Sequence, residues 1–367
     1  MKNIIIAPDS FKGTLSSIEV CRIISSALLE KYPDCNIKSI PVADGGEGTA
    51  EAFLYALGGK KISCEVKSPL GRNIMAYYVL LPDGTAVIEM AQASGLTIEK
   101  ENDPILASSF GTGQMILHAV KNGAKKIIIG IGGSATTDGG IGCMGALGVR
   151  FLSKDNTEVP LCGKGLCDIH SIDLRYIKKE LDGVKIEVLC DVANPLYGKA
   201  GAAYVYSPQK GANSSQVEFL DMGLRNLAKV CFRLFQEDFA TFPGAGAAGG
   251  MGFALKAFLS AELKRGIDCV LDAAEFDSLL KSCDLVITGE GKMDSQSLMG
   301  KVPFGVAERS KGTHTIAIVG VNVADMSLIK KMGIERVIET NEKHLPFEEI
   351  KDFAEEMLFD AAKKISL

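Results

Sequence analysis

Short apolar runs that end in glycine- and carboxylate-rich loops recur along this chain, and they constrain its fold more than any other feature. The first run, residues 2–7, precedes a predicted helix that begins at Ser16, with Glu19 at the spacing of a capping box. Two further apolar runs, 37–42 and 126–131, also lead into glycine-rich loops. Alternation of apolar strand and amphipathic helix predicts an α/β fold with a parallel, doubly wound sheet.

The end of the chain returns to this alternation, whereas the middle is more mixed. Strands are predicted at 285–288, 315–319 and 336–339. Residues 61–89 alternate apolar and polar side chains between two turn signals, which predicts β-hairpins. Between these regions the sequence predicts helices from Asp103 with a break at Gly111-Thr112-Gly113, strands near 184–190 and 202–206, and a helix near 214–237.

Two domains are expected from a chain of 367 residues, because single cores rarely grow beyond about 250–300 residues. The strand–helix pattern occurs at both ends and in the middle. We therefore predict a parallel α/β domain built from residues 1–60, 105–148 and 267–367. Residues 61–104 and 149–266 would form a second, mixed α/β domain inserted into it.

The composition excludes several classes of protein. The formal net charge is −5 and no run of Lys and Arg forms a basic patch, which argues against a nucleic-acid partner. The N-terminal apolar run is too short for a signal peptide, and no stretch of about 18 uncharged apolar residues exists, so we expect a cytoplasmic protein without a membrane span. The 10 cysteines form no C-x-x-C pair and are interpreted as small buried thiols in a reducing compartment.

The loop after the first strand carries an acid and a base, in the order Asp9-Ser10-Phe11-Lys12-Gly13. Lys12 can neutralise the charge of a phosphate near the N-terminus of the following helix. Asp9 can hold a metal ion or accept a hydroxyl proton. We take Asp9 and Ser10 as candidate substrate or phosphate contacts. The alternative is a capped turn with a solvated lysine.

The loop after the second strand carries two carboxylates, Asp44 and Glu47, among three glycines. Carboxylates three residues apart suit Mg²⁺, bound directly or through water. The structural alternative is an N-cap aspartate followed by a first-turn glutamate. Two adjacent glycines exceed what a cap requires, because glycine is needed mainly where the backbone approaches another group closely.

The loop after the buried run 126–131 is the strongest local signal for an anion site. It reads Gly132-Gly133-Ser134-Ala135-Thr136 and continues through Asp138 into a helix. Backbone amides in such a loop can form an anion-binding nest. The hydroxyls of Ser134 and Thr136 can donate to phosphate oxygens. A purely structural need for so many glycines is hard to formulate.

A late loop has the same character as the earlier ones. It follows the predicted strand at 285–288 and supplies Glu290, Lys292 and Asp294. In open α/β sheets, ligands bind beyond the carboxyl ends of the strands. The four loops are therefore expected to converge on one crevice between the two domains.

Two further segments are candidates. Asp191 comes at the end of the strand predicted near 184–190, and Asn194-Pro195 follows it. Residues 244–249 formally match G-x-G-x-x-G, but they follow a helix instead of a strand, so they are not interpreted as a dinucleotide fingerprint. Gly246 and Gly249 are interpreted instead as part of a loop that a ligand, such as a phosphate, can approach closely. A Walker A sequence and the protein-kinase motifs are absent from the sequence.

The sequences of these loops resemble those of the bacterial glycerate kinase family, of the glycerate 2-kinase type. The resemblance covers essentially the whole chain in order, and it is carried by residues 7–13, 43–49, 89–91, 132–136, 191–195, 208–212, 244–252 and 288–294. It implies a flavodoxin-like parallel sheet domain with a second α/β domain inserted into it. It also implies ATP-dependent phosphorylation of D-glycerate with Mg²⁺, and the family type is associated with 2-phosphoglycerate. One departure is Val192-Ala193, where an acidic or polar residue is expected.

For such an enzyme we assign catalytic roles to Lys12, Asp191 and Asp294. Lys12 would contact the transferred phosphoryl group, and Asp191 or Asp294 would accept the glycerate hydroxyl proton or hold Mg²⁺. Asp44 and Glu47 would position Mg²⁺ or substrate. The phosphate and substrate contacts would come from Asp9, Ser10, Gly132, Gly133, Ser134, Thr136, Lys210, Gly246, Gly249, Glu290 and Lys292. The basic partner of the glycerate carboxylate is open among Arg72, Lys210 and Lys292.

Other functions compete with this interpretation. A kinase of another small hydroxy acid or sugar acid could use the same motifs. A nicotinamide-dependent oxidoreductase would use residues 244–249, but the strand that its fingerprint needs is missing. A non-catalytic sensor has less need of so many carboxylates at strand ends. The product of glycerate and ATP would separate these possibilities.

Overall fold

Residues 2–294 and 302–367 are described by the computed structural model. Their strands are β1 (Asn3–Pro8), β2 (Asn36–Ser39), β3 (Lys60–Lys67), β4 (Asn73–Leu80), β5 (Thr85–Glu89), β6 (Lys126–Gly130), β7 (Arg150–Leu152), β8 (Ser171–Asp173), β9 (Lys185–Leu189), β10 (Glu262–Lys264), β11 (Leu285–Met293), β12 (Thr315–Asn322) and β13 (Arg336–Glu339).

The helices of the same residues connect these strands. They are α1 (Ser17–Lys31), α2 (Thr49–Leu57), α3 (Ala91–Ser94), α4 (Phe110–Lys121), α5 (Ile141–Ala146), α6 (Ala202–Tyr206), α7 (Ser214–Phe235), α8 (Met251–Leu259), α9 (Gly266–Ala273), α10 (Phe276–Leu280), α11 (Val302–Arg309), α12 (Met326–Lys331), α13 (Phe347–Ile350) and α14 (Ala354–Lys363). The capping box expected at Ser16 and Glu19 is present at the start of α1. None of these described helices is both long and apolar enough for a membrane span.

The chain divides into two compact units. The first contains the residues up to Asp44, then Glu51–Gly58, and the chain from Gly266 onward. The second contains Gly45–Ala50 and Gly59–Arg265. Each unit therefore builds its own sheet and its own core.

The first unit is built on a five-stranded sheet with the order β13-β12-β11-β1-β2, and every neighbouring pair is parallel. Helices cover both faces, so its strands are apolar on both sides. Ile316 and Ile318 of β12 belong to the core that α1 and α14 complete, whereas Ala317 and Val319 pack with Phe304 of α11. This is the flavodoxin-like parallel sheet that the resemblance implied.

The strand order places a switch point at β1. β2 lies on one side of β1 and β11 on the other, so the connections diverge from this strand. In this topology the crevice beyond the carboxyl ends of the diverging strands is the usual ligand site. Asp9 follows β1 at that edge, and β11 extends to Met293, well beyond the predicted end at residue 288.

The second unit contains a mixed six-stranded sheet with the order β10-β9-β6-β5-β4-β3. The pairs β10–β9, β9–β6 and β6–β5 are parallel, whereas β4 is antiparallel to both β5 and β3. The hairpins predicted over 61–89 are confirmed as β3, β4 and β5. A separate antiparallel pair joins β7 and β8.

The two units divide the chain differently from the predicted domains. Residues 105–148, predicted for the first domain, lie in the second unit, because β6 pairs with β5 and β9 in the six-stranded sheet. A buried parallel strand followed by a glycine-rich loop has the same sequence pattern in either sheet. The pattern therefore predicted the strand but assigned it to the other sheet.

The expected break at Gly111-Thr112-Gly113 is absent, and α4 runs through these residues. A Cβ at Gly111 would lie 2.0 Å from the carbonyl oxygen of Lys67, and one at Gly113 would lie 2.3 Å from that of Cys143. These glycines are needed for close packing and not for a turn.

The strand predicted near 202–206 is wrong, since these residues form α6. Ala202 and Ala203 are fully buried, and the backbone N–H of Val205 donates to the carbonyl of Gly201 (3.1 Å). Burial of two small residues on one side of a helical turn outweighs the β propensity of Tyr204 and Val205.

We expect Gly113→Ala to destabilise the protein, although alanine is the better helix former by about 0.5–1 kcal/mol. The new methyl carbon would lie 2.3 Å from the Cys143 carbonyl oxygen and 2.8 Å from the Cβ of Ala146. Overpacking of this kind costs about 1–3 kcal/mol. The measurement is the midpoint of urea-induced unfolding.

Lys121→Ala is the matched control, because Lys121 is exposed on the same helix. It should change the stability by less than about 0.5 kcal/mol. A Gly113→Ala protein as stable as the wild type would contradict the close approach of α4 and α5.

Candidate active site

The residues that the sequence singled out fall into two groups, one in each compact unit. The first unit holds Asp9, Ser10, Lys12, Asp44, Glu290, Lys292 and Asp294. The second unit holds Glu47, Gly132, Gly133, Ser134, Thr136, Asp191, Lys210, Gly246 and Gly249. Asp44 and Glu47 were predicted to share a metal ion, but Asp44 belongs to the first unit and Glu47 to the second. Asp44 is half-buried, whereas Glu47 is exposed.

Asp9 is a buried acid at the carboxyl end of β1. Its backbone N–H donates to the carbonyl of Gly289 (2.8 Å), and its carboxylate accepts from the backbone N–H of Ser10 (2.7 Å). Burial raises the pKa of Asp9 to about 7, the negative charge of Asp44 adds to the rise, and Lys12 opposes it. The switch point therefore carries a carboxyl group that changes its charge near neutral pH.

Lys12 lies in a tight turn beside these acids. The backbone N–H and the hydroxyl of Thr14 both donate to the carbonyl of Phe11, at 2.9 and 2.8 Å, and Gly13 has a φ of +85°. The Lys12 ammonium lies 3.9 Å from the Asp44 carboxylate, and its side chain is 69% exposed. An exposed ion pair of this length contributes little, so a ligand phosphate can replace Asp44 at small cost.

The end of β11 supplies the next three polar side chains. Glu290, Lys292 and Asp294 are spaced two residues apart, so they share one side of the extended chain. Glu290 is buried, Asp294 is half-buried and Lys292 is exposed. The sequence placed them in a loop, but Glu290 and Lys292 belong to the strand itself, in register with Val319 and Val321 of β12.

A cavity of about 310 Å³ brings these residues together in the first unit. Its charged side is formed by Asp9, Ser10, Lys12, Glu290, Lys292 and Asp294. Its apolar side is formed by Phe11, Phe347, Ile350, Ala354 and Met357. A volume of this size, with an apolar wall and a few convergent charges, is typical of small-molecule sites.

The apolar wall is the part of this cavity that sequence reasoning missed. Phe347, Ile350, Ala354 and Met357 follow one another at intervals of three, four and three residues. That spacing is visible in the sequence as one face of a helix. The same pattern describes an ordinary core helix, so it does not by itself mark a ligand site.

Asp9 and Asp44 form a donor set that suits a divalent cation. The negative charge of Asp44 makes the ionised form of Asp9 less favourable, and a bound cation would remove that penalty. Among residues 2–294 and 302–367, no group of three or more His, Cys, Asp or Glu side chains is arranged around a metal site. Mg²⁺ needs no such group, because one or two carboxylates and the substrate phosphates commonly hold it.

In the second unit, Lys210 lies beneath the loop 132–136. Its ammonium donates to the hydroxyl of Ser134 (2.9 Å) and to the carbonyl of Thr136 (2.6 Å), and the residue is only 3% exposed. Burial lowers the pKa of Lys210 to about 7, and the charge of Asp138 opposes that change. Lys210 therefore has the surroundings of an internal brace and not of a solvated lysine.

Asp138 anchors the end of the same loop. Its carboxylate accepts from the backbone N–H and hydroxyl of Ser109, at 2.8 and 2.7 Å, and from the backbone N–H groups of Gly140 and Gly142, at 3.0 and 3.2 Å. Burial raises its pKa, and these hydrogen bonds act against the rise. The sequence showed this aspartate within the motif but gave it no role.

The predicted phosphate-contacting glycines are of two kinds. A Cβ at Gly246 would lie 2.2 Å from the carbonyl oxygen of Pro195, and one at Gly249 would lie 2.0 Å from that of Thr136. A Cβ at Gly132 would likewise lie too close to neighbouring backbone atoms. Gly133 has a φ of +72°, and its nearest contact would be an ordinary 3.4 Å. Packing thus explains three of these glycines, and Gly133 leaves room beside the loop.

Asp191 follows β9 and is half-buried. The adjoining turn is held by Asn194, whose amide donates to the carbonyl of Ala200 (2.8 Å) and accepts from the hydroxyl of Tyr206 (2.6 Å). Burial raises the pKa of the Cys190 thiol to about 11, and the charge of Asp191 adds to the rise.

Arg72, a candidate partner of a substrate carboxylate, is already paired. Its guanidinium lies 2.5 Å from the carboxylate of Glu99. The Arg72 side chain is 61% exposed, whereas that of Glu99 is 7% exposed. Removing Arg72 from this pair would leave a nearly buried carboxylate without its counter-charge, so a structural role is sufficient to explain Arg72.

Comparison with known proteins agrees with the architecture and with the order of the motifs. The sequence model described as the glycerate kinase family matches residues 4–367. A glycerate kinase of Bacillus subtilis (strain 168) is 42% identical over 369 residues, which cover 99% of this chain and 96% of that protein. A glycerate 2-kinase of Escherichia coli (strain K12) is 45% identical over 339 residues, covering 91% of this chain and 89% of that protein.

A solved structure shows the same fold. It is that of a provisionally named glycerate kinase 2 from Salmonella typhimurium LT2, with a TM-score of 0.85 and 42% sequence identity. The match covers 99% of this chain and 96% of the other. Identity above 40% along nearly the full length of both chains shows common descent as well as common fold, and this chain therefore belongs to the glycerate kinase family.

Proposed function

We propose that this protein phosphorylates D-glycerate with ATP and Mg²⁺ and that 2-phosphoglycerate is the product. The observation that carries the proposal is the cavity at the switch point of the first unit, where Asp9, Lys12 and Lys292 face an apolar wall. Family membership supports the reaction class. Phosphoryl transfer depends mainly on positioning and on neutralising phosphate charge, and the cavity offers groups for both.

The apolar wall favours ATP as the phosphate donor. Glycerate has three carbons, all of which carry oxygen, so it gains little from contact with Phe347 or Met357. A nucleobase is flat and largely apolar on its faces, and burying it against such side chains is favourable. We place the base against the wall and the phosphates toward Lys12.

The charged side supports the remaining assignments. Asp9 and Asp44 would hold Mg²⁺, which when bound neutralises phosphate charge and helps to orient the transferred group. Lys12 would stabilise the negative charge of the phosphoryl oxygens. Asp294 is the base candidate that shares this cavity, so we assign it the proton of the reacting glycerate hydroxyl.

Lys292 is the best-supported partner for the glycerate carboxylate. Of the three candidates, Arg72 is paired with Glu99 and Lys210 is buried. Lys292 is exposed and lines the cavity. We also propose that Gly133, Ser134 and Thr136 contact phosphate. They lie on the loop that Lys210 braces. We expect a protein with this function to be cytoplasmic.

The product of ATP and D-glycerate tests the proposed function. We expect proton and phosphorus NMR to show one new phosphoester, coupled to the proton on C2, and we expect EDTA to stop its formation until Mg²⁺ is restored. A phosphoester on C3 would contradict the regiochemistry but keep the kinase. Turnover of another hydroxy acid without turnover of glycerate would favour the alternative substrate class.

Lys12→Ala should lower kcat by about 10²–10³-fold while the protein stays folded, because the transition state loses a charge partner. The measurements are steady-state kinetics and the thermal unfolding midpoint. Lys281→Ala, an exposed lysine of the same unit, is the control and should retain wild-type kinetics. Near-normal turnover of Lys12→Ala would remove Lys12 from the mechanism.

Phe347→Ala should raise the KM for ATP about tenfold, equivalent to about 1.4 kcal/mol, and leave the KM for glycerate nearly unchanged. The reason is the loss of apolar contact with the base. Phe353→Ala is a closely matched control, since Phe353 is an exposed ring of the same segment that lies outside the cavity lining. A rise in the KM for glycerate alone would place the acceptor, and not the nucleotide, at the apolar wall.

A further inference from the structure

Lys210 is enclosed in the second unit in a way that a direct phosphate contact does not explain. Its ammonium donates two hydrogen bonds to the loop 132–136, one to the Ser134 hydroxyl (2.9 Å) and one to the Thr136 carbonyl (2.6 Å). The amide of Asn102 donates both to the carbonyl of Lys210 (2.8 Å) and to that of Ala135 (3.0 Å). Lys210 and Asn102 together fix the inner side of the loop.

The loop is also held by the chain that follows α3. The backbone N–H of Ala135 donates to the carbonyl of Ser94 (2.8 Å), and that of Leu96 donates to the carbonyl of Gly133 (2.9 Å). Thr136 has a fully buried side chain, and its hydroxyl oxygen has no hydrogen-bond partner among residues 2–294 and 302–367. A buried polar atom without a partner is costly, and a bound ligand can supply the missing bond.

The charge state of Lys210 is finely balanced. Burial lowers the pKa of Lys210 to about 7, so the neutral amine predominates above neutrality. Among the described residues, the ionisable group that faces it is Asp138, whose charge favours the ammonium. Asp138 is in turn satisfied by Ser109, Gly140 and Gly142. An additional negative charge near the loop would complete the protonation of Lys210, because it favours the ammonium form.

We propose that Lys210 is a positioning residue of the loop 132–136 and that it takes up a proton when an oxyanion binds there. The proton comes from the solvent, one per bound anion, and no other bond changes. The inference rests on the proposed function, because that function supplies the anion. The oxyanion is either a nucleotide phosphate or the glycerate carboxylate, which share the chemistry that the loop recognises.

Proton uptake on binding is the direct measurement. Calorimetric titrations at about pH 8, in two buffers with different heats of ionisation, give the number of protons bound with each ligand. MgADP and D-glycerate are titrated separately. We expect the ligand that occupies the loop to bring in nearly one proton at this pH, and clearly less at about pH 6, where Lys210 is already protonated.

Three variants separate positioning from general stability. Lys210→Met should remove the proton uptake and weaken binding. Lys210→Arg keeps a permanent charge and should bind the same ligand without taking up a proton. Lys229→Met removes an exposed lysine of α7 from the same unit and should behave as the wild type.

The pH dependence of unfolding gives a second, ligand-free readout. Burial holds the folded-state pKa of Lys210 at about 7, below the value of 10.5 that is ordinary for lysine, so the unfolded chain binds more protons in this interval. Stability contributed by this group therefore rises with pH between about 7 and 10.5. The Lys210→Met protein should lack that rise, whereas Lys229→Met should keep it.

The outcomes are distinguishable. Binding with proton uptake in the wild type, lost in Lys210→Met, supports the inference and identifies which ligand reaches the loop. Binding without proton uptake, or the same uptake in Lys210→Met, overturns the inference and leaves the proposed function intact. Absence of binding by both ligands overturns the proposed function and the inference with it.

Discussion

The parallel pairing of β1 with β11 is the interaction on which the candidate cavity depends. It joins Ile4 to Leu285 and Pro8 to Gly289, positions that are 281 residues apart in each case. Because Asp9 and Glu290 come next along the two strands, the register alone brings an acid from each strand to one edge. Gly289 allows β11 to pack closely against β12, since a Cβ at this position would lie 2.1 Å from the Ile318 carbonyl oxygen. A slip of one residue would turn the acid of the shifted strand to the opposite face from the other acid.

The sequence predicted the parts of this site that have a local chemical signal. Asp9, Lys12 and Asp294, which line the cavity, were predicted because charged residues beside glycine directly after an apolar run are typical of ligand-binding loops. Their common location follows from the strand order, which local patterns do not contain. The assignment of β6 to a sheet was wrong for the same reason: its five residues look alike in either sheet, and pairing with β5 and β9 is a tertiary event.

For other residues, the surroundings in the structure differ from what the local sequence suggests. Lys210 was a candidate partner for the substrate carboxylate, and in the structure it is buried and donates to Ser134 and Thr136 of the loop 132–136. Gly246 and Gly249 looked like ligand-facing glycines, yet neighbouring carbonyl groups occupy the space where a side chain would be. Phe347 and Met357 were not singled out in the sequence, and they line a cavity. Composition and spacing do not distinguish these cases, because burial is set by segments far away in the chain.

The long separation between β1 and β11 also has a consequence for how the protein is made. During synthesis β1 emerges first, and β2 can pair with it early, but the partner on its other side follows about 280 residues later. At ordinary rates of translation, about 5–20 residues per second, that interval lasts many seconds. All of Gly59–Arg265, with its own sheet, is synthesised within it. Residues Gly59–Arg265 can thus complete their core on the ribosome while one edge of β1 is still unpaired. An unpaired strand edge of this kind is a site at which nascent chains can pair wrongly.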